Sequence, residues 1–265
     1  MSKLIEKLSK VGQGQVQAMG FASSSRKSEA NPHMLLIGKI TPDAAADPGL
    51  AGARVDAFLL ALDAWDEQAV TGIAGKLEDR VWGIRMSAVT SQQAKKVGDF
   101  GGDFIVFDAD PTESSVLDEE KLGKFVTITD DMDDDVGRIV NALPIDGAYF
   151  SSNEDLQAMT VGKLINIGLV SGVLSGPVLM PVPGDLSTKD LEGLRSVGVA
   201  GVVVDLASSS DVAEIKAAIA EMSAKRPAKR KGRNALVPSL ASAAAAPSPR
   251  RREGEDDGED EHEGH

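Results

Sequence analysis

Residues 177–206 read PVLMPVPGDLSTKDLEGLRSVGVAGVVVDL, and this stretch decides the fold. It opens on a short apolar run from Pro177 and turns at Gly184. From Asp185 it becomes DLSTKDLEGLRSVG, where Ser and Thr caps precede apolar residues three and four apart, the pattern of an amphipathic helix. Gly198 stops that helix, and a second β-branched run, GVVVDL from Gly201, follows within a few residues. Strand, capped helix, glycine stop and strand together make one βα repeat.

The same unit recurs upstream. Apolar β-branched runs begin at Met34 (MLLIGKI), Val55 (VDAFLLALD), Arg80 (RVWGIRM), Asp103 (DFIVFDAD), Phe125 (FVTITD) and Asp146 (DGAYFSS). With the two above they number eight, with starts roughly 21 to 31 residues apart, the spacing of βα units. Helix signals lie between them: Asp66 before EQAVTGIAGKLEDR, SQQAKKVG from Ser91, the acidic run Asp130 to Asp135, and SSSDVAEIKAAIAEM from Ser208. The runs are apolar without regular alternation, as in strands covered on both faces. Eight such units predict an α/β fold, a compact (β/α)8 or TIM barrel over residues 34–224. An open doubly wound sheet is the alternative, because strand order is not written in the sequence. The first crossover, TPDAAADPGLAGA, holds Pro48 and two glycines, which predicts a poor or missing first helix. Residues 1–33 predict a helix and a Gly- and Ser-rich lead-in that closes the barrel bottom or mediates pairing.

The net charge of −13 is distributed unevenly. Residues 34–224 hold 14 basic and 31 acidic side chains, which argues against a nucleic-acid surface on the barrel. Residues 225–252 carry nine basic and no acidic residues, and residues 253–263 carry eight acidic and no basic ones. With Pro, Ala and Ser filling the rest, residues 225–265 read as a disordered charged tail, able to recruit a protein partner. There is no cysteine, which removes disulfides and thiolate chemistry and fits a reducing compartment. MSKLIEKLSK lacks a long apolar stretch, so the expectation is a cytoplasmic protein that does not enter a membrane.

The stretch from Pro181 to Leu206 resembles the seventh and eighth βα units of the aldolase-type and ribulose-phosphate-binding barrels. The resemblance implies a ligand phosphate held by glycines after strands seven and eight. Here strand seven ends in Pro181, Val182, Pro183 and Gly184, and strand eight ends in Asp205, a carboxylate that repels phosphate unless a metal intervenes. Only Gly184 and the amides around Ser208, at a helix N-terminus, are left to cradle an anion.

In such a barrel the active site lies at the C-terminal strand ends. The residues there include Lys39, Asp63, Arg85, Asp108, Asp110, Thr129, Asp130, Asp131, Ser151, Ser152, Gly184 and Asp205. The three histidines are His33, His262 and His265, so imidazole catalysis is excluded from the barrel's C-terminal end unless His33 folds back to it. Lys39 is either a base or Schiff-base nucleophile, or one half of a rim ion pair with a carboxylate such as Asp63. Arg85, with Ser151, Gly184 and Ser208, suits a substrate carboxylate or phosphate. Asp63 and Asp108 are further acid/base candidates. Asp108, Asp130 and Asp205 read either as Mg2+ or Mn2+ ligands or as helix caps. Trp65 and Phe150 could floor a pocket for FMN, and Tyr149 reads as packing.

The leading expectation is a lyase or isomerase acting on a small anionic metabolite, with Lys39 or an aspartate as base. The alternatives are a non-catalytic binding or scaffold barrel, which its tail links to partners, and a flavin-linked oxidoreductase; homo-oligomerisation is open in each.

Overall fold

A computed structural model describes residues 2–11, 32–43, 52–152, 158–207 and 209–222. The lead-in of residues 12–31, most of the first crossover, Ser208 and the charged tail lie outside the described residues.

Eight parallel strands close into a barrel in sequence order: β1 (Leu35–Ile40), β2 (Ala57–Ala61), β3 (Trp82–Met86), β4 (Phe104–Phe107), β5 (Gly123–Ile128), β6 (Gly147–Phe150), β7 (Val178–Pro181) and β8 (Val199–Asp205). Ladder bonds from β8 to β1 complete the ring, so the open-sheet alternative is set aside. The helices are α1 (Lys3–Lys10), α2 (Glu67–Lys76), α3 (Ser91–Asp99), α4 (Asp134–Ala142), α5 (Val161–Val173), α6 (Thr188–Ser196) and α7 (Ser209–Glu221). Their starts follow local chemistry. The Asp66 carboxylate accepts from two amides of α2, Thr90 and Gln93 form a capping box on α3, Asp133 caps α4, and Ser187 and Asp190 form a capping box on α6. One crossover departs from the regular unit: between β4 and β5 the chain makes a 3-10 turn, Ser114–Asp118. Buried Lys124 fastens that crossover by donating from Nζ to the carbonyls of Leu117 and Glu119.

Two apolar layers form the core. Outward-facing strand residues such as Leu36, Leu60, Ile84, Ile105, Phe150 and Val204 pack under the helices. Inward-facing residues, among them Ile37, Leu59, Phe104, Phe125, Tyr149 and Val203, fill the barrel itself. Phe104 and Phe125 meet edge to face at 6.0 Å, and glycines stand beside them in the neighbouring strands. A Cβ on Gly83 would sit 2.2 Å from the Phe104 carbonyl oxygen, so only glycine fits there.

Helix α1 closes the bottom of the barrel, one of the two roles open for the N-terminal segment. Leu4 and Leu8 are buried in the interior cluster. Asp103, just before β4, holds the helix start: its carboxylate accepts from the Ser2 hydroxyl at 2.7 Å and from the Lys3 and Leu4 amides at 2.7 and 2.8 Å. A carboxylate against the positive end of a helix dipole is favourable, so a single aspartate anchors the plug. Asp56 before β2 and Asp146 before β6 instead accept the amides of Leu36 and Lys124 in the preceding strands.

Candidate active site

Strand alternation decides which side chains enter the barrel mouth. Leu35 and Ile37 point inward, so Lys39 does too; the same count carries Val81 to Arg85, Val106 to Asp108, Phe125 to Thr127, Tyr149 to Ser151, and Val203 to Asp205. Among the sequence candidates, Lys39, Arg85, Asp108, Ser151 and Asp205 therefore share the inner side of the C-terminal strand ends, and each is half-buried.

Lys39 and Asp205 face each other across the β1–β8 seam as register partners, with Nζ 3.4 Å from Oδ2. The second Asp205 oxygen accepts from the Ala207 amide at 3.0 Å, and the Leu206 amide donates to the Lys39 carbonyl at 2.9 Å. The expected partner Asp63 is displaced from this role. It lies in an exposed bend beyond β2, whereas β8 brings its carboxylate to the same level as Lys39. A Schiff-base lysine is activated by desolvation, and Lys39 is instead 34% exposed and paired. An electrostatic role fits this environment better than a nucleophilic one.

Arg85 lies with its guanidinium carbon 4.9 Å from the ring centroid of Tyr149. The contact joins β3 to β6 inside the barrel, and it gives Tyr149 a role beyond the packing read from sequence. Burial pushes the Tyr149 hydroxyl above its ordinary 10.0, and the Arg85 charge partly offsets that rise, so the hydroxyl stays protonated and able to donate. Next to Tyr149 in the ladder, Thr127 holds a buried hydroxyl oxygen with no partner among the described residues. Sequence reasoning did not name Thr127 and read Tyr149 as packing alone. For Tyr149 the signal was the strand glycine: Gly147 marks the inward face of β6 two residues before it.

The three metal candidates, Asp108, Asp130 and Asp205, are not gathered into one cluster. Among the described residues no group of three or more Asp, Glu or His side chains is placed to hold an ion. Asp108 follows β4, on the opposite side of the barrel from Asp205, and Asp205 is spent on Lys39. Asp130 accepts from the Ser152 hydroxyl at 3.1 Å, while Asp131 takes the Thr129 hydroxyl, which with a backbone amide holds the Asp131 carboxyl below the usual range. These residues do not fit the Mg2+ or Mn2+ site. The FMN floor is corrected, since Phe150 belongs to the layer under the helices and Trp65 packs against the same layer.

Gly184 sits half-buried in the turn after β7. The α6 start nearby already carries an anion: the Asp190 carboxylate accepts from the Ser187 amide and hydroxyl at 3.1 and 2.6 Å. That charge opposes a phosphate at this turn. Ser208, its suggested companion, lies outside the described residues. Among the described residues no helix is long and apolar enough to cross a membrane.

No protein-family profile matches the chain, and no curated protein matches it. Solved structures do. A mutant tryptophan synthase α-subunit from the hyperthermophile Pyrococcus furiosus is 14% identical with a TM-score of 0.55, over 71% of this chain and 97% of that one. A chain of the tryptophan synthase α2β2 complex from the same organism is 12% identical with a TM-score of 0.54, over 71% and 97%. At such identities the likeness is one of fold, and the chain has the TIM-barrel architecture seen in these tryptophan synthase α-subunits.

Proposed function

We propose that the barrel mouth is the active site of a lyase- or isomerase-type enzyme acting on a small anionic metabolite. The observation that carries the reading is the arrangement of Arg85, shelved on Tyr149, with Lys39 on the other side of β2. Between them the inward position of β2 is Ala61, whose small side chain leaves room for a ligand. Arg85 presents a planar fork suited to a carboxylate or phosphate, and Lys39 adds a second cation. Asp108, half-buried and bonded through its side chain to no described residue, is the base, and the Thr127 and Ser151 hydroxyls orient the substrate. The tryptophan synthase α-subunits that share the fold support the lyase class by analogy alone.

The test is thermal-shift and calorimetric titration of the full chain with inorganic phosphate, pyruvate and longer keto acids. At least one anion raises Tm, and Arg85→Ala removes the shift by cutting affinity roughly tenfold or more. If no anion shifts Tm, or if Arg85→Ala binds as well as the parent chain, the mouth is not an anion site and the proposal fails.

A further inference from the structure

All the large exposed apolar side chains among the described residues lie on two neighbouring helices. Val136 and Ile139, with Leu143 just past the helix end, line α4, and Val161, Ile165 and Leu169 run along α5, four residues apart; they are between 43% and 75% exposed. The helices are joined side by side: the Asn141 amide donates to the Val173 carbonyl at 2.8 Å, and the Ser175 amide donates to Asn141 at 2.8 Å. The exposed face of α5 is Val161, Gly162, Ile165, Asn166, Leu169 and Gly172, without one charge, on a chain in which 26% of residues are charged.

We infer that this α4–α5 face is where two copies of the chain pair about a two-fold axis. The area supports it. The six side chains leave about 600 Å² on apolar residues open, at the upper end of the largest patch on a typical monomer and near the apolar share of a standard interface of about 800 Å² per partner. Charge selects the occupant. The segment 34–224 carries 14 basic against 31 acidic residues, so two copies repel wherever acidic surfaces meet. A two-fold contact centred on α5 sets its uncharged exposed side against its own copy and avoids that repulsion, while on α4 the exposed Asp134 and Asp135 flank the patch and Asp135 pairs with Arg138. An anionic lipid surface is disfavoured by the same net charge, and Arg138 and Lys163 are the only cations on the two helices. Gly162 and Gly172 flank the stripe with nothing within 3.8 Å of an added Cβ, which lets two helix backbones approach.

The chain has no cysteine, so an introduced one reports on its own. Light scattering on the full chain at tens of micromolar gives about 55 kDa, twice the 27.7 kDa of one chain. Ile165→Glu with Leu169→Glu halves that mass while the circular dichroism of the barrel is unchanged. Mild oxidation of Ile165→Cys yields a covalent dimer, and Gly72→Cys, on the exposed face of α2, does not. A single-chain mass for the parent overturns the inference. So does a dimer that survives the paired glutamates, or equal cross-linking from both cysteines.

Discussion

Arg85 reaches across the barrel from β3 to lie 4.9 Å above the ring of Tyr149 on β6, so the cation at the mouth rests on the last aromatic layer of the interior. Tyr149 is the single tyrosine, and its ionisation can be followed by ultraviolet absorbance without interference from another. Burial raises its midpoint above 10.0, and Arg85 lowers it. Arg85→Ala should therefore move the midpoint further up. A downward move would mean that the guanidinium does not act on the ring.

The same shift fixes a sign for stability. The folded protein keeps the Tyr149 proton at a pH where the unfolded chain has released it, so the contribution is complete below 10.0 and is lost as pH rises through the folded value. Between 10.0 and the folded value, urea midpoints of the parent chain should fall more steeply with pH than those of Tyr149→Phe. Parallel curves for the two proteins would contradict the assignment.

The Lys39–Asp205 pair should matter for binding and hardly at all for folding. Its side chains are 34% and 45% exposed, and pairs of that kind contribute at most about 1 kcal/mol. In urea denaturation Lys39→Ala should cost less than about 1 kcal/mol. The same variant should weaken whichever anion stabilises the parent, and a loss in stability of several kcal/mol would instead identify the pair as structural.

The fold was legible because its punctuation is local: Asp66, Ser187 and Gly198 act on neighbours a few residues away, and the eight apolar runs recur every 21 to 31 residues. The site was legible only in part. Strands apolar on both faces hide their parity, so Lys39, Arg85, Asp108, Ser151 and Asp205 could be named as strand ends without knowing which faced inward. Partner choice depends on which strands close the ring. Lys39 pairs with a residue 166 positions away because β8 returns to β1, and no spacing rule reaches that far. Tyr149 failed for a related reason, since inside a barrel one residue is both core and floor of the mouth.

The bottom plug should be worth more than the eight residues of α1 suggest. Leu4 is fully buried among interior side chains, and Leu4→Ala should cost about 2–5 kcal/mol. Asp103→Ala should cost about 2 kcal/mol, because it strips the α1 start of three hydrogen bonds. Because α1 lies at the end of the barrel away from the mouth, neither change should alter anion affinity at saturating protein stability. Calorimetric unfolding and the anion titration, run on the same samples, separate the two readouts.

Two classes of glycine should respond in opposite directions to the same added methyl. At Gly83 the Cβ would stand 2.2 Å from the Phe104 carbonyl oxygen and 2.7 Å from its ring, with backbone on one side and a fully buried aromatic on the other. Neither can move without disturbing the β3–β4 ladder, so Gly83→Ala should cost about 1–3 kcal/mol or more. Gly72 and Gly75 lie on the exposed face of α2, where an added Cβ meets nothing within 4 Å. There alanine only narrows the unfolded ensemble and favours the helix, and each change should add about 0.4–1 kcal/mol. Equilibrium denaturation of Gly83→Ala against Gly72→Ala with Gly75→Ala decides the point. A destabilised α2 pair would mean that its exposed face is covered, and a neutral Gly83→Ala would mean that the barrel interior is looser than its packing requires.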